Sequence, residues 1–290
     1  MRENDTLQRF LFEHSHVRGM FVHLHNSYQA VSERYDYPPL VQQQLGQALA
    51  ASTLLGSTIK FTGSLIMQLQ TVGPINMLVA QCTHDRCIRG LARWQKNKPQ
   101  TDQVNPFGLG NMIITINSER NDERYQGIVS MESDTLAKAI ERYFQQSEQL
   151  QTRLWLAADE MQVVGMLLQH LPGEDADKDI WERIETLGAT ITDEEMLSLP
   201  TEEILHRLFH EEEVRLFEPE PVSFRCSCSR GKIVTMLRTL GAAEARDILR
   251  EQGKISVGCD FCNQQYVFDS VDVEALFANN AVTPGNTSKH

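Results

Sequence analysis

Four cysteines in the last quarter of the chain form two close pairs whose type and spacing suit metal binding. One residue separates Cys226 from Cys228, and after a further thirty residues two residues separate Cys259 from Cys262. Thiolates are soft ligands, and two such pairs can converge on one tetrahedral zinc ion. Four thiolates complete the coordination, which leaves no position for an activated water. The sequence therefore predicts one zinc ion on these four cysteines and no catalytic residues.

The role of this predicted site is open between two interpretations. Most sites with four cysteine ligands only hold a small fold together. The Cys226 and Cys228 spacing favours a redox role, because a disulfide across one intervening residue is strained and easily reduced. The neighbouring cations of Arg225, Arg230 and Lys232 are expected to favour the reactive thiolate form.

The cysteines belong to the last part of the chain, residues 225–290, which has to position them. Segments of this size rarely fold on apolar burial alone. In small modules zinc binding supplies on the order of 10–16 kcal/mol and is effectively their folding energy. We therefore expect residues 225–290 to form a small C-terminal zinc-binding domain that unfolds when oxidation removes the thiolates.

Residues 173–224, called the linker below, differ from the rest of the chain in charge. Residues 174–220 contain 16 acidic and 4 basic residues, a balance that equals the formal net charge of -12 for all 290 residues. Thr201 is expected to cap a helix with a narrow apolar stripe. We predict an acidic helical linker that is marginally stable and ordered only by docking on its neighbours. The candidates for apolar surface exposed on its release are Ile204, Leu205, Leu208, Phe209 and Phe217.

Residues 1–172 carry most of the strand and helix signal, which predicts an N-terminal sheet-and-helix domain of the α+β class with antiparallel sheet. The predicted strands are residues 20–24, 64–69, 76–80, 112–116 and 127–131. The predicted helices are residues 40–55 and 135–149, and residues 118–124 are a predicted hairpin turn.

Composition limits the class of protein. Hydrophobic residues at 41% and charged residues at 23% are typical of a globular chain. No apolar run approaches the roughly 20 residues that span a bilayer, and the first residues lack a signal peptide, so a cytoplasmic protein without membrane contact is expected. In that reducing compartment, cysteines are more typical of metal or redox chemistry than of structural disulfides. The negative charge argues against binding nucleic acid.

Three weaker patterns have ordinary explanations. Cys82 and Cys87 flank His84, but three local ligands are too few, and ordinary thiols near a strand end are expected. The histidines at positions 14, 16, 23 and 25 are expected to be satisfied or solvent-facing. Residues 108–110, GLG, lack the remainder of a glycine-rich phosphate-binding motif, so no nucleotide site is predicted.

Five segments of the chain form a recognisable set: FRCSCSR at 224–230, CDFC at 259–262 with Tyr266 after it, LFHEE at 208–212, YQGIV at 125–129 and SEQL at 147–150. The two cysteine motifs combined with the linker motif are highly specific. On these segments, nearly the whole chain resembles the redox-regulated 33-kilodalton heat-shock chaperones, the heat shock protein 33 family.

The resemblance implies an ATP-independent holdase that is inactive when reduced and zinc-bound. It implies activation by hypochlorite, or by peroxide with mild unfolding, through Cys226–Cys228 and Cys259–Cys262 disulfides, with the second bond forming first. Zinc release and linker unfolding would follow, and the active form would bind unfolding client proteins and tend to form a homodimer. The residues alone allow three pairings of four cysteines.

Two further classes of protein remain as alternatives. A zinc-ribbon module that binds nucleic acid or a basic protein is disfavoured for nucleic acid by the sign of the charge. A thiol oxidoreductase that uses Cys259 and Cys262 is disfavoured because the motif lacks a thioredoxin-like βαβ context.

Overall fold

The computed structural model describes residues 5–59, 62–95, 106–118, 124–132, 135–173 and 177–278. The chain divides into two compact units, residues 1–225 and residues 226–290. The strands described in the first unit are β1 (Thr6–Phe12), β2 (Val17–Leu24), β3 (Gly63–Thr71), β4 (Ile75–Thr83), β5 (Cys87–Trp94), β6 (Leu109–Ser118), β7 (Arg124–Glu132), β8 (Thr152–Ala158), β9 (Val163–His170), β10 (Val214–Leu216), β11 (Glu220–Pro221) and β12 (Ser223–Phe224). The helices described there are α1 (Asn26–Ser32), α2 (Pro39–Thr58), α3 (Leu136–Tyr143), which a π-helical turn (Phe144–Glu148) continues, α4 (Ile180–Gly188), α5 (Asp193–Ser198) and α6 (Thr201–Phe209).

Helix α2 lies between two sheets and forms the centre of the first unit. It begins at Pro39, where the fixed φ of proline suits a first helical turn. It contacts β2, β8 and β9 of one sheet and β3, β4 and β5 of the other. A helix covered on two sides is apolar all round, which explains why Leu45, Ala48, Leu49 and Ala51 are all fully buried. The predicted helix at residues 40–55 is confirmed.

The first sheet has the strand order β10-β1-β2-β9-β8, and β11 also pairs with β1. One face packs on α2, and the other packs on helices α4 to α6 of the linker. Strand β9 reads VVGMLLQH, a continuous apolar run, because both of its faces are buried. Only β2 of this sheet was predicted from sequence. The others lack the clean alternation of a half-buried strand.

The second sheet has the order β12-β5-β4-β3-β6-β7 and is antiparallel except for the short parallel pair β12 and β5. The predicted strands at 64–69, 76–80, 112–116 and 127–131 are confirmed as β3, β4, β6 and β7. The antiparallel pairing of β6 with β7 supports the predicted hairpin. Its turn, residues 119–123, lies outside the described part of the chain.

The described part of the linker, residues 177–224, is packed within the first unit. The predicted helix is present as α6, but the prediction that Thr201 caps it is wrong. Pro200 occupies the cap position, and Thr201 is fully buried with its Oγ1 3.1 Å from Nε2 of His23. A capping box lies instead at α5, where Thr192 Oγ1 accepts from Glu195 N and Thr192 N donates to the Glu195 carboxylate.

As far as residue 278, the second unit combines a hairpin with three helices. The apolar core over these described residues consists of six buried residues, far fewer than the first unit has. The elements are α7 (Arg230–Leu240), α8 (Ala242–Gln252), β13 (Ile255–Gly258), β14 (Gln265–Phe268) and α9 (Ser270–Ala278). None of the helices in the described ranges is long and apolar enough to cross a membrane.

Candidate metal centre

The turn between β13 and β14 holds Cys259 and Cys262. The N–H of Cys259 donates to the carbonyl of Gln264 at 3.0 Å, and the N–H of Asn263 donates to the carbonyl of Cys259 at 2.8 Å. Asn263 closes the turn with φ of 56°, a left-handed conformation that asparagine tolerates. The hairpin thereby presents both thiols from one tight loop.

The second pair, Cys226 and Cys228, lies in a stretch without helix or strand directly before α7. Ser229 ends this stretch by capping the helix, since its Oγ accepts from the N–H of Lys232. Cys226 and Cys228 are therefore held between β12 and the capped start of α7.

The four sulfur atoms converge, and all lie within 4.8 Å of one another. Cys226 Sγ is 3.6 Å from Cys259 Sγ, and Cys228 Sγ is 3.4 Å from Cys262 Sγ. Zinc–sulfur bonds of about 2.3 Å in a tetrahedron separate the sulfurs by about 3.8 Å, so the spacing fits a zinc ion. Among the described residues, these cysteines form the one group of three or more His, Cys, Asp or Glu side chains that could share a metal ion.

The closeness of the four thiols favours binding of a cation. Burial raises the pKa of the Cys262 thiol to about 12, and the neighbouring thiols add to this effect while the N–H of Gln264 opposes it. Four thiolates this close repel one another unless a positive charge lies between them. A divalent cation inverts this effect, because it deprotonates the thiols that bind it.

Tyr266 contacts the cysteine cluster, a role that was not predicted from the sequence. Its hydroxyl donates to Cys228 Sγ at 3.1 Å, which raises the pKa of Tyr266 to about 12. A hydrogen bond to a thiolate withdraws electron density and orients the ligand, as partners of metal ligands commonly do. The signal available in the sequence was a tyrosine on β14, four residues after Cys262.

The expected role of Arg230 beside the thiols is not what the structure shows. Its guanidinium donates to the carbonyl of Val267 at 2.9 Å, pairs with Asp272 at 2.8 Å and lies 4.1 Å from the ring centroid of Phe268. These contacts join α7 to β14 and α9. Arg230 therefore stabilises the fold around the cysteines.

Cys82 and Cys87 are ordinary thiols, as predicted, and both are buried in the first unit. Burial raises the pKa of Cys82 to about 12, which makes its thiolate scarce and the side chain unreactive. His84, between them, contacts the backbone of Gly63 through Nδ1 at 3.2 Å. The histidines near the N-terminus were expected to be satisfied or solvent-facing. His23 is satisfied, since its Nε2 lies 3.1 Å from the hydroxyl of Thr201.

The apolar stripe of α6 packs against the first sheet. Ile204 and Phe209 are each 1% exposed, and the Phe209 ring lies edge-on to Phe12 with centroids 5.0 Å apart. Leu205 and Leu208 are also buried. Phe217 differs, since it is already 40% exposed, and release of the linker would add little to its accessibility.

Comparisons with known proteins agree with this architecture. Residues 5–269 match the family described as Hsp33 protein. The chain is 54% identical over 290 residues to the "33 kDa chaperonin" of Nitrosococcus oceani and 43% identical over 293 residues to that of Methylobacillus flagellatus, with 100% of each chain covered in both cases. The crystal structure of the "33 kDa chaperonin (Heat shock protein 33 homolog)" from Thermotoga maritima superposes with a TM-score of 0.82 at 22% identity, covering 96% of this chain and 100% of that one.

The fold match and the site together give the class of protein: a mixed α/β protein with a cluster of four cysteines near its C-terminal end. The chain belongs to the Hsp33 protein family.

Proposed function

We propose that this chain is a redox-regulated, ATP-independent holdase chaperone of the cytoplasm that binds unfolding proteins and catalyses no reaction. The observation that carries the proposal is the convergence of four thiols within 4.8 Å in a unit whose described residues include six buried core residues. Membership of the Hsp33 family and the names of the relatives support it.

In the reduced state, Cys226, Cys228, Cys259 and Cys262 would hold one zinc ion. When bound, zinc supplies the positive charge that keeps four thiolates together and links the two halves of the small unit. The linker then stays docked on the first sheet and covers its apolar face. The protein is inactive in this state because the client-binding surface is covered.

Oxidation removes the ligands. Each cysteine pair gives two electrons to one peroxide molecule, which takes up two protons and leaves as two waters while one disulfide forms. Two peroxide molecules therefore convert the four thiolates to two disulfides and release the metal. Hypochlorite would do the same, leaving chloride and water.

From the family resemblance, we propose the pairs Cys226–Cys228 and Cys259–Cys262, with the second formed first. The close sulfur contacts of the reduced structure join Cys226 to Cys259 and Cys228 to Cys262, so the proposed pairing rests on the family resemblance alone.

The loss of the small unit would loosen the linker, because Arg225 alone separates β12 from Cys226 in the chain. Release uncovers the outer face of the first sheet together with the stripe Ile204, Leu205, Leu208 and Phe209. Unfolded clients would bind this apolar surface, and the oxidised chain would associate into a homodimer through part of it. The sheet residues uncovered in this way include Phe10, Phe12, Phe21, Val164, Met166 and Leu168.

The test is light scattering of a heat-denatured protein in the presence of reduced and oxidised chain. Oxidised chain is expected to suppress aggregation, and reduction should reverse the effect. Zinc release measured with a chromogenic chelator should accompany activation. Equal suppression by both forms would reject the redox switch.

The ligand set and the disulfide pairing are tested separately. Cys226→Ser should lose most of its zinc, whereas Cys87→Ser, a thiol of the first unit, should keep a full equivalent. Peptide mapping of oxidised protein should find one disulfide within each pair, two in total. A bond between Cys226 and Cys259 as the main product would contradict the proposed pairing.

A further inference from the structure

The linker occupies strand edges as well as an apolar face. Strands β10 and β11 pair with β1, and β12 pairs with β5. Without these short strands, β1 and β5 are the outermost strands of their sheets. Outermost strands present a row of unpaired N–H and C=O groups to any chain that extends beside them. Linker release therefore opens two strand edges, of which β1 is the better described.

The backbone of β1 alternates between its two neighbours. On the linker side, Glu13 N donates to the Glu213 carbonyl at 2.8 Å, and the Arg9 carbonyl accepts from Phe217 N at 2.9 Å. Alternation in an antiparallel ladder places the N–H of Leu11 on the same side. Residues 9, 11 and 13 thus form a continuous row of edge-facing backbone groups.

The linker uses this row incompletely. Strand β10 ends at Leu216 and β11 begins only at Glu220, so Gln8 and Arg9 have no paired residue in the described ladder, and a backbone hydrogen bond runs there from Phe217 N to the Arg9 carbonyl. An uninterrupted extended segment would pair with Gln8 and Arg9 as well, and would therefore satisfy more of the edge than the linker does.

Buried polar atoms at the same place indicate a weak fit. Within the described residues, the buried side-chain nitrogen and oxygen atoms without a hydrogen-bond partner are Thr6 Oγ1, Gln8 Oε1 and Arg86 Nε. Each belongs to a residue that pairs with, or bonds to, residues 217–221. Unpaired buried polar atoms cost free energy. These three atoms weaken the fit of residues 217–221 on the edge, where Glu220 also pairs with Arg9 and Arg86.

We propose that the β1 edge is an acceptor site for an extended segment of an unfolded client, which adds to the first sheet as a strand after the linker leaves. This inference rests on the chaperone function proposed above. The present occupant shows the pattern required: Val214 and Leu216 pack against the apolar cluster that the first sheet shares with the linker helices, and Arg215 between them is exposed. Client segments with alternating apolar and polar residues and no proline match it. Such segments are also the ones that aggregate.

Residue-resolved amide exchange by NMR tests strand addition. The probe is carboxymethylated α-lactalbumin, which stays unfolded, added to the full oxidised chain. The amides of Leu11 and Glu13 face the edge, whereas those of Gln8 and Phe10 belong to the ladder with β2 and serve as internal controls. Leu11 and Glu13 should be protected in reduced protein, exchange at least about tenfold faster after oxidation, and regain protection with the client.

A second measurement distinguishes the client from a returning linker. Arg215→Pro removes the N–H opposite Leu11, so that the linker cannot rebuild the ladder, and Arg215→Ala is the matched control that keeps it. Client-dependent protection should appear in both variants. Protection in Arg215→Ala alone, or a client retained on gel filtration while Leu11 and Glu13 exchange fast, would overturn strand addition and leave the chaperone function standing. Oxidised chain that retains no client would overturn both.

Discussion

At the scale of single residues, the cysteine cluster depends on groups beside its ligands. The hydroxyl of Tyr266 donates to Cys228 Sγ, and Arg230 ties β14 to α9 through Val267 and Asp272. Neither residue carries a metal-ligating atom in the cluster. Both hold the ligand loops in the geometry that brings four sulfurs together.

We expect Tyr266→Phe to lower zinc affinity by about tenfold, because loss of a partner that hydrogen-bonds a metal ligand typically costs 10–100-fold. Competition with a chromogenic chelator measures the change. Tyr125→Phe removes the same hydroxyl in the other compact unit and should leave the affinity unaltered. An unchanged affinity in Tyr266→Phe would show that the hydroxyl contributes nothing to metal retention.

At the scale of elements, docking of the linker is a balance between apolar packing and acidic charge. Helices α4 to α6 bury Ile180, Trp181, Ile184 and Met196 in addition to the predicted stripe. Some acidic groups are paired, as in Arg183 with Glu212 at 2.6 Å. Exposed ion pairs of this kind contribute little, so the apolar contacts hold the linker in place.

Phe209→Ala tests that contribution in reduced, zinc-bound protein. Removing a fully buried aromatic side chain costs about 3–5 kcal/mol, which should favour release of the linker without oxidation. Tryptic cleavage at Arg207 and Arg215 should accelerate by about tenfold or more, and aggregation should be suppressed under reducing conditions. Phe217→Ala is the matched control, since Phe217 is 40% exposed. Equal cleavage rates in both variants would contradict this account.

His23 makes the stability of the first unit depend on pH. Burial lowers its pKa to about 4. The unfolded chain therefore takes up a proton below about pH 6.5 that the folded chain refuses until about pH 4, and stability falls as pH drops through this window. Between pH 7 and pH 4.5 the loss attributable to His23 is about 2–3 kcal/mol.

Urea unfolding of wild type and His23→Gln at both pH values measures this loss. The variant should lose less stability on acidification, whereas His14→Asn, which replaces a side chain that is 84% exposed, should behave like wild type. Since His23 contacts Thr201, acid should also loosen α6 first. Identical pH dependence in wild type and His23→Gln would be evidence against the assignment.

At the scale of the whole molecule, the two units differ in what stabilises them. The first has a large apolar core around α2, whereas residues 226–278 of the second contain six buried core residues and four converging thiols. A core that small does not offset the conformational entropy of ordering the chain. The stability of residues 226–278 should therefore depend on metal.

Metal removal by a strong chelator under reducing conditions tests this dependence. Hydrogen exchange should accelerate throughout residues 226–278, while β3, β4 and β6 in the first unit stay protected. Adding zinc back should restore protection, and magnesium, which prefers oxygen ligands, is the matched control that should not. Persistent protection of the C-terminal unit in metal-free protein would contradict a folding role for the metal.

The sequence by itself determined the candidate ligand set and the alternating strands. Cys226, Cys228, Cys259 and Cys262 form a recognisable pattern because ligands in each pair are neighbours in the chain. Strands β3, β4, β6 and β7 were recognisable because one face is buried and the other is not, which imposes a period of two. Helix α2 was recognisable from its length and its proline start.

Only the tertiary structure decided the rest. Strand β9 is buried on both faces and loses its alternation, and β10 to β12 span three residues or fewer, so they exist as strands because β1 and β5 offer edges to pair with. The Tyr266 hydroxyl and the Thr201 contact with His23 likewise join distant parts of the chain. Local patterns report which backbone a segment prefers and which atoms lie close in sequence. They do not report which surface the segment will cover, because that depends on burial shared with residues far along the chain.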